Sequence, residues 1–338
     1  MESWCIMNYI VLDLEWNQAA FKVDEEGDLP FEIIEIGAIK LDKDANIIDE
    51  FQSLIRPQVY PFLLRRTREL TGWTDRDLDE KGVYFDDICP EFLKWCGKDC
   101  VFVVWGGSDL TQLERNMAYY KLPIPWKYPL KYLDAQKLYA LQENEGKVRR
   151  TLESVVEKYE LPMDRPFHHA IDDAFYTAKI FKLLNRPELE EYYSVDYYFV
   201  PKNRFEEKTF VFPTYTKFVS RSFNLKEEAL ENHRVRETNC RLCGKRMRRI
   251  IPWFSDGRTY LCLAECKEHG LMRGRIRLKV AERYDGFFAV RTIKTCNEEE
   301  RKVIEGKKEA LKEKRREKRQ RTKTKKKKGT EAKDAAEN

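Results

Sequence analysis

The order of apolar and polar positions divides the first 190 residues into short apolar runs and amphipathic segments. Apolar runs bounded by polar residues predict strands at residues 8–16, 33–41, 47–55, 101–105 and 130–134. Apolar residues at helical spacing predict helices at 83–96, 110–120, 135–142, 151–159 and 170–184. Because the strands come first and then alternate with helices, the expected fold class is α/β, a mixed sheet flanked by helices.

The pattern changes after residue 190. Aromatic residues are dense in residues 191–235, which we interpret as an extension or linker that packs on a first domain of residues 1–190. Residues 236–298 predict a small basic module. Residues 299–338 begin with Glu at every fourth position among Lys and Arg, which predicts a solvated helix followed, past Arg321, by a disordered basic tail.

The charge is concentrated at one end of the chain. The net charge is +5, but residues 301–328 contain sixteen Lys or Arg against four Glu, so the remainder is net acidic. The tail therefore predicts non-specific, salt-sensitive affinity for phosphate backbones. The sequence lacks a secretory pattern and an apolar run of the ~20 residues that span a bilayer, so we expect a cytoplasmic protein without a membrane partner, beginning at Met1 or Met7.

Two carboxylates lie in the first apolar run, Tyr9-Ile-Val-Leu-Asp13-Leu-Glu15-Trp. Residues two apart on a strand face the same side, so Asp13 and Glu15 point together. Like charges in apolar surroundings are unfavourable unless cations lie between them. Oxygen ligands suit Mg²⁺ or Mn²⁺.

Three further residues complete a candidate catalytic set. Asp109 follows the strand at 101–105 and a Gly-Gly pair, Asp173 lies near the start of the helix at 170–184, and His168 precedes that helix. Asp172 is a rival to Asp173, and His169 is a rival to His168. Four carboxylates and a histidine that can accept a proton from water are the components of phosphodiester hydrolysis with two metal ions.

These motifs resemble a known family. Asp13-x-Glu15, Trp105-Gly-x-x-Asp109 and His168-x-x-x-x-Asp173 are similar to the three motifs of the DEDDh, or DnaQ-like, 3′–5′ exonucleases, over about residues 8–185. That group has the ribonuclease H-like fold. The strand Ile33-Ile-Glu-Ile-Gly-Ala and the segment Leu70-Thr-Gly-Trp-Thr74 resemble its histone-mRNA exonuclease and sporulation-inhibitor branch.

The resemblance implies a role for each residue. Asp13 would bridge two Mg²⁺ or Mn²⁺ ions, Glu15 and Asp173 would hold the one that activates water, and Asp109 would act on the other. His168 would be the general base. The residues expected to contact the terminal nucleotide are Leu14, Trp16, Thr71, Gly72 and Trp73, where Trp73 replaces the usual aliphatic residue and could stack on the terminal base or narrow the pocket.

The cysteines near the end of the chain predict a structural zinc site. Cys240-x-x-Cys243-Gly is typical of a zinc knuckle, and Cys262 and Cys266 follow after a segment that can form a hairpin. Tetrahedral zinc needs four ligands, and we expect Cys240, Cys243, Cys262 and Cys266, with His269 as an alternative for one of the second pair. Basic residues around the knuckle could guide a polynucleotide.

The sequence therefore predicts a metal-dependent 3′–5′ exonuclease that releases nucleoside 5′-monophosphates, with a small zinc-ribbon-like module and a basic tail. Single-stranded RNA is favoured as substrate on the resemblance alone. A DNA-trimming or proofreading exonuclease and an inactive nucleic-acid-binding adaptor are the alternatives, and no feature indicates a protein partner.

Overall fold

The computed structural model of the protein describes residues 8–18, 29–146 and 148–334, and the chain divides into two units between Phe199 and Val200. Met7 and the last four residues of the expected tail lie outside the described residues.

The strands of the first unit are β1 (Asn8–Gln18), β2 (Phe31–Leu41), β3 (Ile47–Leu54), β4 (Cys100–Val104), β5 (Lys131–Asp134) and β6 (Ser194–Val195). Its α-helices are α1 (Arg65–Thr71), α2 (Asp75–Lys81), α3 (Phe85–Cys96), α4 (Asp109–Tyr119), α5 (Ala135–Gln142), α6 (Leu152–Lys158), α7 (Ala170–Leu183) and α8 (Arg186–Leu189).

The first unit is a mixed sheet with helices on both faces, as the sequence predicts. The strand order is β3-β2-β1-β4-β5-β6, in which β3, β2 and β1 are antiparallel neighbours and β4 runs parallel to β1. Alternate residues of β1 enter different cores. Tyr9 and Val11 pack with α5, α6 and α7, whereas Ile10 and Leu12 pack with α3 and α4.

Helices α1 and α2 were not among the predicted elements. Each is only seven residues long, too short to show a clear apolar period. Their boundaries do carry local signals. Thr74 and Asp77 form a reciprocal capping box at the start of α2, and Gly72 ends α1 in the left-handed conformation with φ 72°.

The second unit contains a larger sheet than the expected small module. Its strands are β7 (Lys208–Val211), β8 (Tyr215–Val219), β9 (Arg248–Asp256), β10 (Thr259–Cys266), β11 (Gly270–Val280) and β12 (Phe287–Thr295), and its helices are α9 (Lys226–Glu231) and α10 (Glu298–Asp334). The order is β7-β8-β12-β11-β10-β9, with antiparallel neighbours throughout the sheet.

Two expectations for the second half differ from this arrangement. The segment 191–235 is divided between the two units, because β6 pairs with β5 in the first sheet, whereas β7 pairs with β8 and β8 with β12 in the second sheet. The helix α10 continues to Asp334, where the sequence predicted a disordered tail from Arg321 onward. Within the described ranges, none of the helices is both long and apolar enough to cross a membrane.

Candidate active site

Asp13 and Glu15 lie on the face of β1 that packs toward α7. In the antiparallel register, Asp13 is opposite Gly37 and Glu15 is opposite Glu35. A Cβ at Gly37 would lie 2.1 Å from the backbone of Ala170, the first residue of α7. The missing side chain therefore lets the start of α7 lie directly over the sheet beside Asp13.

Asp109 reaches the same place from the neighbouring strand. Because β4 is parallel to β1, the carboxyl ends of both strands lie at one edge of the sheet, and Asp109 is the first residue of the helix that follows β4. Its carboxylate is buried and accepts hydrogen bonds from the backbone amides of Asp109 and Leu14.

The motif around the start of α7 offers two rival pairs, His168 with His169 and Asp172 with Asp173, and one member of each pair lies beside the other acids. Ligand atoms of Glu15, His168 and Asp173 all lie within 4.8 Å of one another. The backbone amide of His168 faces Asp173 Oδ2 at 3.4 Å. His168 has φ 68°, an uncommon conformation that turns this loop immediately before α7.

The rivals point elsewhere. Asp172 faces the guanidinium of Arg165, with 3.5 Å between Oδ1 and Nη1. His169 is directed at Glu35, with 3.8 Å between Nδ1 and Oε2. The geometry therefore separates His168 and Asp173, which meet Glu15, from their sequence neighbours.

The four carboxylates repel one another in a buried setting. Burial, followed by the neighbouring acids, raises the pKa of Asp13 well above its ordinary range and raises the pKa of Glu15 to about 8. Burial also raises the pKa of Asp109 to about 7 and that of Asp173 to about 6. In the part of the chain that the structure describes, the buried Asp173 Oδ1 has no hydrogen-bond partner. A divalent cation fits this donor set, since it would neutralise the acids and give that oxygen a partner.

Glu35 is a fifth acid at the site that the sequence analysis did not select. It is fully buried and accepts hydrogen bonds from Gln52 Nε2 at 3.1 Å and Trp73 Nε1 at 2.9 Å. The ring of Trp73 meets the ring of His169 edge to face, with 4.9 Å between centroids. Only the pairing of β1 with β2 reveals that Glu35 is opposite Glu15, so a motif search along one strand could not find it.

The residues expected to contact the nucleotide fall into two groups. Thr71 is buried, and its Oγ1 accepts from the Trp73 amide at 3.2 Å, while Gly72 makes the turn between α1 and Trp73. The side chains of Leu14 and Trp16 instead join the core beside α3 and α4, on the opposite face from Asp13. The structure therefore does not bring those two side chains to the acids, because strand alternation turns them away.

Two buried polar residues hold the loop that precedes α1. Asn17 Nδ2 donates to the carbonyl of Phe62 at 3.0 Å, and its Oδ1 accepts from the amide of Leu64 at 3.1 Å. The Glu32 carboxylate accepts from the amides of Gln58, Val59 and Tyr60. These bonds fix the path of the chain into the segment that carries Thr71 and Trp73.

The second unit brings Cys240, Cys243, Cys266 and His269 together, with ligand atoms within 4.8 Å of one another. The separations are 3.7 Å between the sulfurs of Cys243 and Cys266 and 3.6 Å between Cys266 Sγ and His269 Nδ1. Backbone amides near Cys266, together with His269, lower the pKa of its thiol to about 6, which favours the metal-binding thiolate.

The expected ligand Cys262 lies outside this cluster. It precedes Cys266 by four residues on β10, a distance of about 13 Å along an extended strand. Its side chain packs instead against Gly274, where a Cβ would come within 2.5 Å of the Cys262 sulfur. His269 occupies the fourth position because the β10–β11 turn brings it back beside Cys266.

The sheet order and the acids at its edge define a nuclease of the ribonuclease H-like class. A family model described as exonuclease (RNase_T) matches residues 10–181, more than half of the chain. The chain therefore belongs to this family, the DEDDh 3′–5′ exonucleases, whose activity depends on divalent metal ions and whose substrate is nucleic acid.

Similar proteins include one curated bacterial relative. The chain is 27% identical over 181 residues to the probable 3′-5′ exonuclease KapD of Bacillus subtilis (strain 168). The matched region covers 52% of this chain and 84% of the relative.

Solved structures are similar at lower identity. The nuclease domain of 3′hExo, a DEDDh family member bound to rAMP, is 20% identical with a TM-score of 0.48, covering 58% of this chain and 98% of that one. E. coli exonuclease I in complex with a dA16 oligonucleotide is 13% identical with a TM-score of 0.46, covering 76% of this chain and 55% of that one.

Proposed function

We propose that the protein hydrolyses single-stranded RNA from the 3′ end and releases nucleoside 5′-monophosphates. The observation that carries the proposal is the convergence of Asp13, Glu15, Asp109 and Asp173 with His168 at one sheet edge. An adaptor without activity is disfavoured because every acid that the reaction needs is present.

The four carboxylates would hold two Mg²⁺ or Mn²⁺ ions. When bound, such ions lower the pKa of the attacking water and stabilise the negative charge of the phosphodiester as it reacts. The fit rests on the buried, mutually repelling acids and on the unpartnered Asp173 Oδ1 in the described residues.

His168 is the proposed general base. Its imidazole is exposed and close to Glu15 and Asp173, so one ring nitrogen can accept a proton from water and return it to solvent. His169 is directed at Glu35 and is less suited to this role.

Trp73 is the proposed contact for the terminal base. It is half-buried, and its indole is held by Glu35 and by the ring of His169. An aromatic ring fixed in this way can stack on any base. The preference for RNA rests on the resemblance of residues 70–74 to the RNA-degrading branch.

The test compares RNA and DNA of one sequence, each labelled at the 5′ end. With Mg²⁺, a ladder shortened from the 3′ end is expected for RNA, and it should vanish with EDTA or with Asp13→Asn. Asp44→Asn is the matched control because Asp44 is an exposed residue of the β2–β3 turn. Preferential digestion of DNA would favour a DNA-trimming enzyme, and binding without digestion of either strand would favour the adaptor.

We further propose that Cys240, Cys243, Cys266 and His269 bind one structural zinc ion. A tetrahedral site with Zn–S bonds of about 2.3 Å separates two sulfurs by about 3.8 Å, close to the 3.7 Å between Cys243 and Cys266. The Leu242 amide donates a hydrogen bond to Cys240 Sγ at 3.4 Å, a contact that can hold this sulfur in place. Four protein ligands leave no open position for substrate, so the site would be structural.

A further inference from the structure

One face of the second sheet carries a group of basic side chains. Odd-numbered residues of β11 from Arg273 to Lys279 are at least partly exposed, while the alternate residues Met272, Gly274 and Ile276 are buried. The arginines of this strand thus share one side of the sheet.

The register extends this face across three more strands. Arg273 is opposite Lys294 of β12, which is opposite Tyr215 of β8. We call this surface the basic sheet face. Its accessible part comprises the basic residues Lys208, Lys217, Arg273, Arg275, Arg277, Lys279 and Lys294, with Tyr215 and Thr292 between them. Phe210, Val219, Phe288 and Val290 lie on the same side of these strands but are buried. These strand positions include no Asp or Glu.

Two arginines at the centre of this face are uncompensated. Arg273 is paired with Glu300 at 2.8 Å, but Arg275 and Arg277 have no carboxylate within ion-pair distance among the described residues. Burial, Arg277 and Arg273 together lower the pKa of Arg275. By contrast, Arg248 at the sheet edge is neutralised by Glu265 at 2.7 Å. Two neighbouring guanidinium groups without a carboxylate partner, those of Arg275 and Arg277, favour an anionic ligand.

Aromatic rings lie beside these charges. Tyr215 stacks on Phe212 with 4.4 Å between centroids, and Lys294 Nζ lies 5.0 Å from the centre of the Tyr215 ring. Basic groups interleaved with aromatic rings are typical of surfaces that bind single-stranded nucleic acids.

We propose that the basic sheet face binds the sugar-phosphate backbone of a single-stranded nucleic acid. The proposal rests on the proposed function, because an exonuclease supplies the polyanionic ligand. From Arg273 to Lys279 the basic residues recur at every second position of β11, over about 20 Å. Such a row matches a chain of phosphates better than a single small anion.

The test measures binding of a fluorescent long oligonucleotide by the full chain, with Asp13→Asn present to prevent cleavage. The Arg275→Ala/Arg277→Ala double variant should bind the oligonucleotide more weakly. A plot of the logarithm of its association constant against the logarithm of the salt concentration should be less steep by about 1.4, which is about 0.7 for each lost phosphate contact. The control is Arg258→Ala/Lys302→Ala, which removes two exposed charges outside this face. An affinity and slope equal to those of the control would overturn the proposal, as would binding of anionic vesicles in place of oligonucleotides.

A second measurement separates this inference from the proposed function. In the active protein, the arginine double variant should keep its kcat/KM for a dinucleotide and lose it for a long strand. If the parent protein cleaves neither substrate, the proposed function fails, and the binding assay still decides the role of the basic sheet face. An equal loss for dinucleotide and long strand would contradict a docking role.

Discussion

The indole of Trp73 donates a hydrogen bond from Nε1 to Oε2 of Glu35, at 2.9 Å. Glu35 is in turn directly opposite Glu15 across β1 and β2. The segment proposed to contact the terminal nucleotide is thus fastened to the strand next to the proposed metal ligands. A buried carboxylate that loses a donor is left partly unpaired, which is costly in free energy.

Trp73→Phe should therefore lower the free energy of unfolding by about 1–3 kcal/mol. It should also raise KM for a short oligonucleotide more than it lowers kcat, because the ring remains but is less firmly held. Trp95→Phe is the matched control, since the Trp95 indole donates a similar bond to the exposed side chain of Asp49 at 2.7 Å. Equal effects of the two changes on KM would contradict a substrate role for Trp73.

His168→Ala should reduce kcat by about 10²–10⁴-fold if His168 is the general base. His169→Ala should have a smaller effect on kcat and a larger effect on thermal stability, because His169 packs on Trp73 and faces Glu35. The exposed His233 supplies the control substitution, His233→Ala. A greater loss of kcat in His169→Ala than in His168→Ala would reverse the assignment.

The sequence predicted five of the six strands of the first sheet, and it selected the four acids, because both depend on local patterns. Asp13 and Glu15 follow from the period of a strand, and Asp109 from the strand that precedes it. Glu35 and Cys262 show the limit of this reasoning. Glu35 lies at the acidic site because β1 and β2 pair in a register that places it opposite Glu15. Cys262 lies outside the cysteine cluster because a turn places His269 beside Cys266.

The pairing of strands that lie far apart in the sequence of the second unit also could not be predicted from the pattern of apolar residues. Residues 208–219 form the hairpin of β7 and β8, and the partner of β8 is β12, which lies about seventy residues later in the chain. Aromatic residues in this segment predicted packing but could not indicate which unit they pack in. Non-local strand pairing leaves no periodic signal in the segment itself.

Gly37→Ala should lower the free energy of unfolding of the first unit by about 1–3 kcal/mol, because the new Cβ would overlap the backbone of Ala170. Movement of α7 would also shift Asp173, so we expect weaker activation by Mg²⁺. Gly306→Ala is the control, since Gly306 lies in α10 with no atom within 4 Å of an added Cβ, and this change should stabilise by up to about 1 kcal/mol. Chemical denaturation and Mg²⁺ titration of activity would measure both effects, and an unaltered Gly37→Ala protein would contradict the close approach of α7.

The metal-free protein should lose stability as pH rises from about 5 to about 8. Burial raises the pKa of Glu15 from its ordinary 4.5 to about 8 and that of Asp109 from 3.8 to about 7. In this window the folded state binds more protons than the unfolded state, so increasing pH favours unfolding. The melting temperature in EDTA should fall across this range, and Asp13→Asn should flatten the fall. Added Mg²⁺ should stabilise more at pH 8 than at pH 5, and a flat profile in EDTA would contradict the raised pKa values.

The purified protein should contain one zinc ion per chain, measured by elemental analysis. Cys266→Ser and His269→Ala should lose the metal and lower the stability of the second unit, because a structural zinc ion contributes directly to folding. Cys262→Ala should retain the metal, since the Cys262 side chain packs against Gly274 and not in the cluster. After exchange to Co²⁺, the visible spectrum should indicate three thiolates and one imidazole, and His269→Cys should shift it toward four thiolates. Loss of zinc in Cys262→Ala with retention in His269→Ala would restore the four-cysteine site that the sequence first suggested.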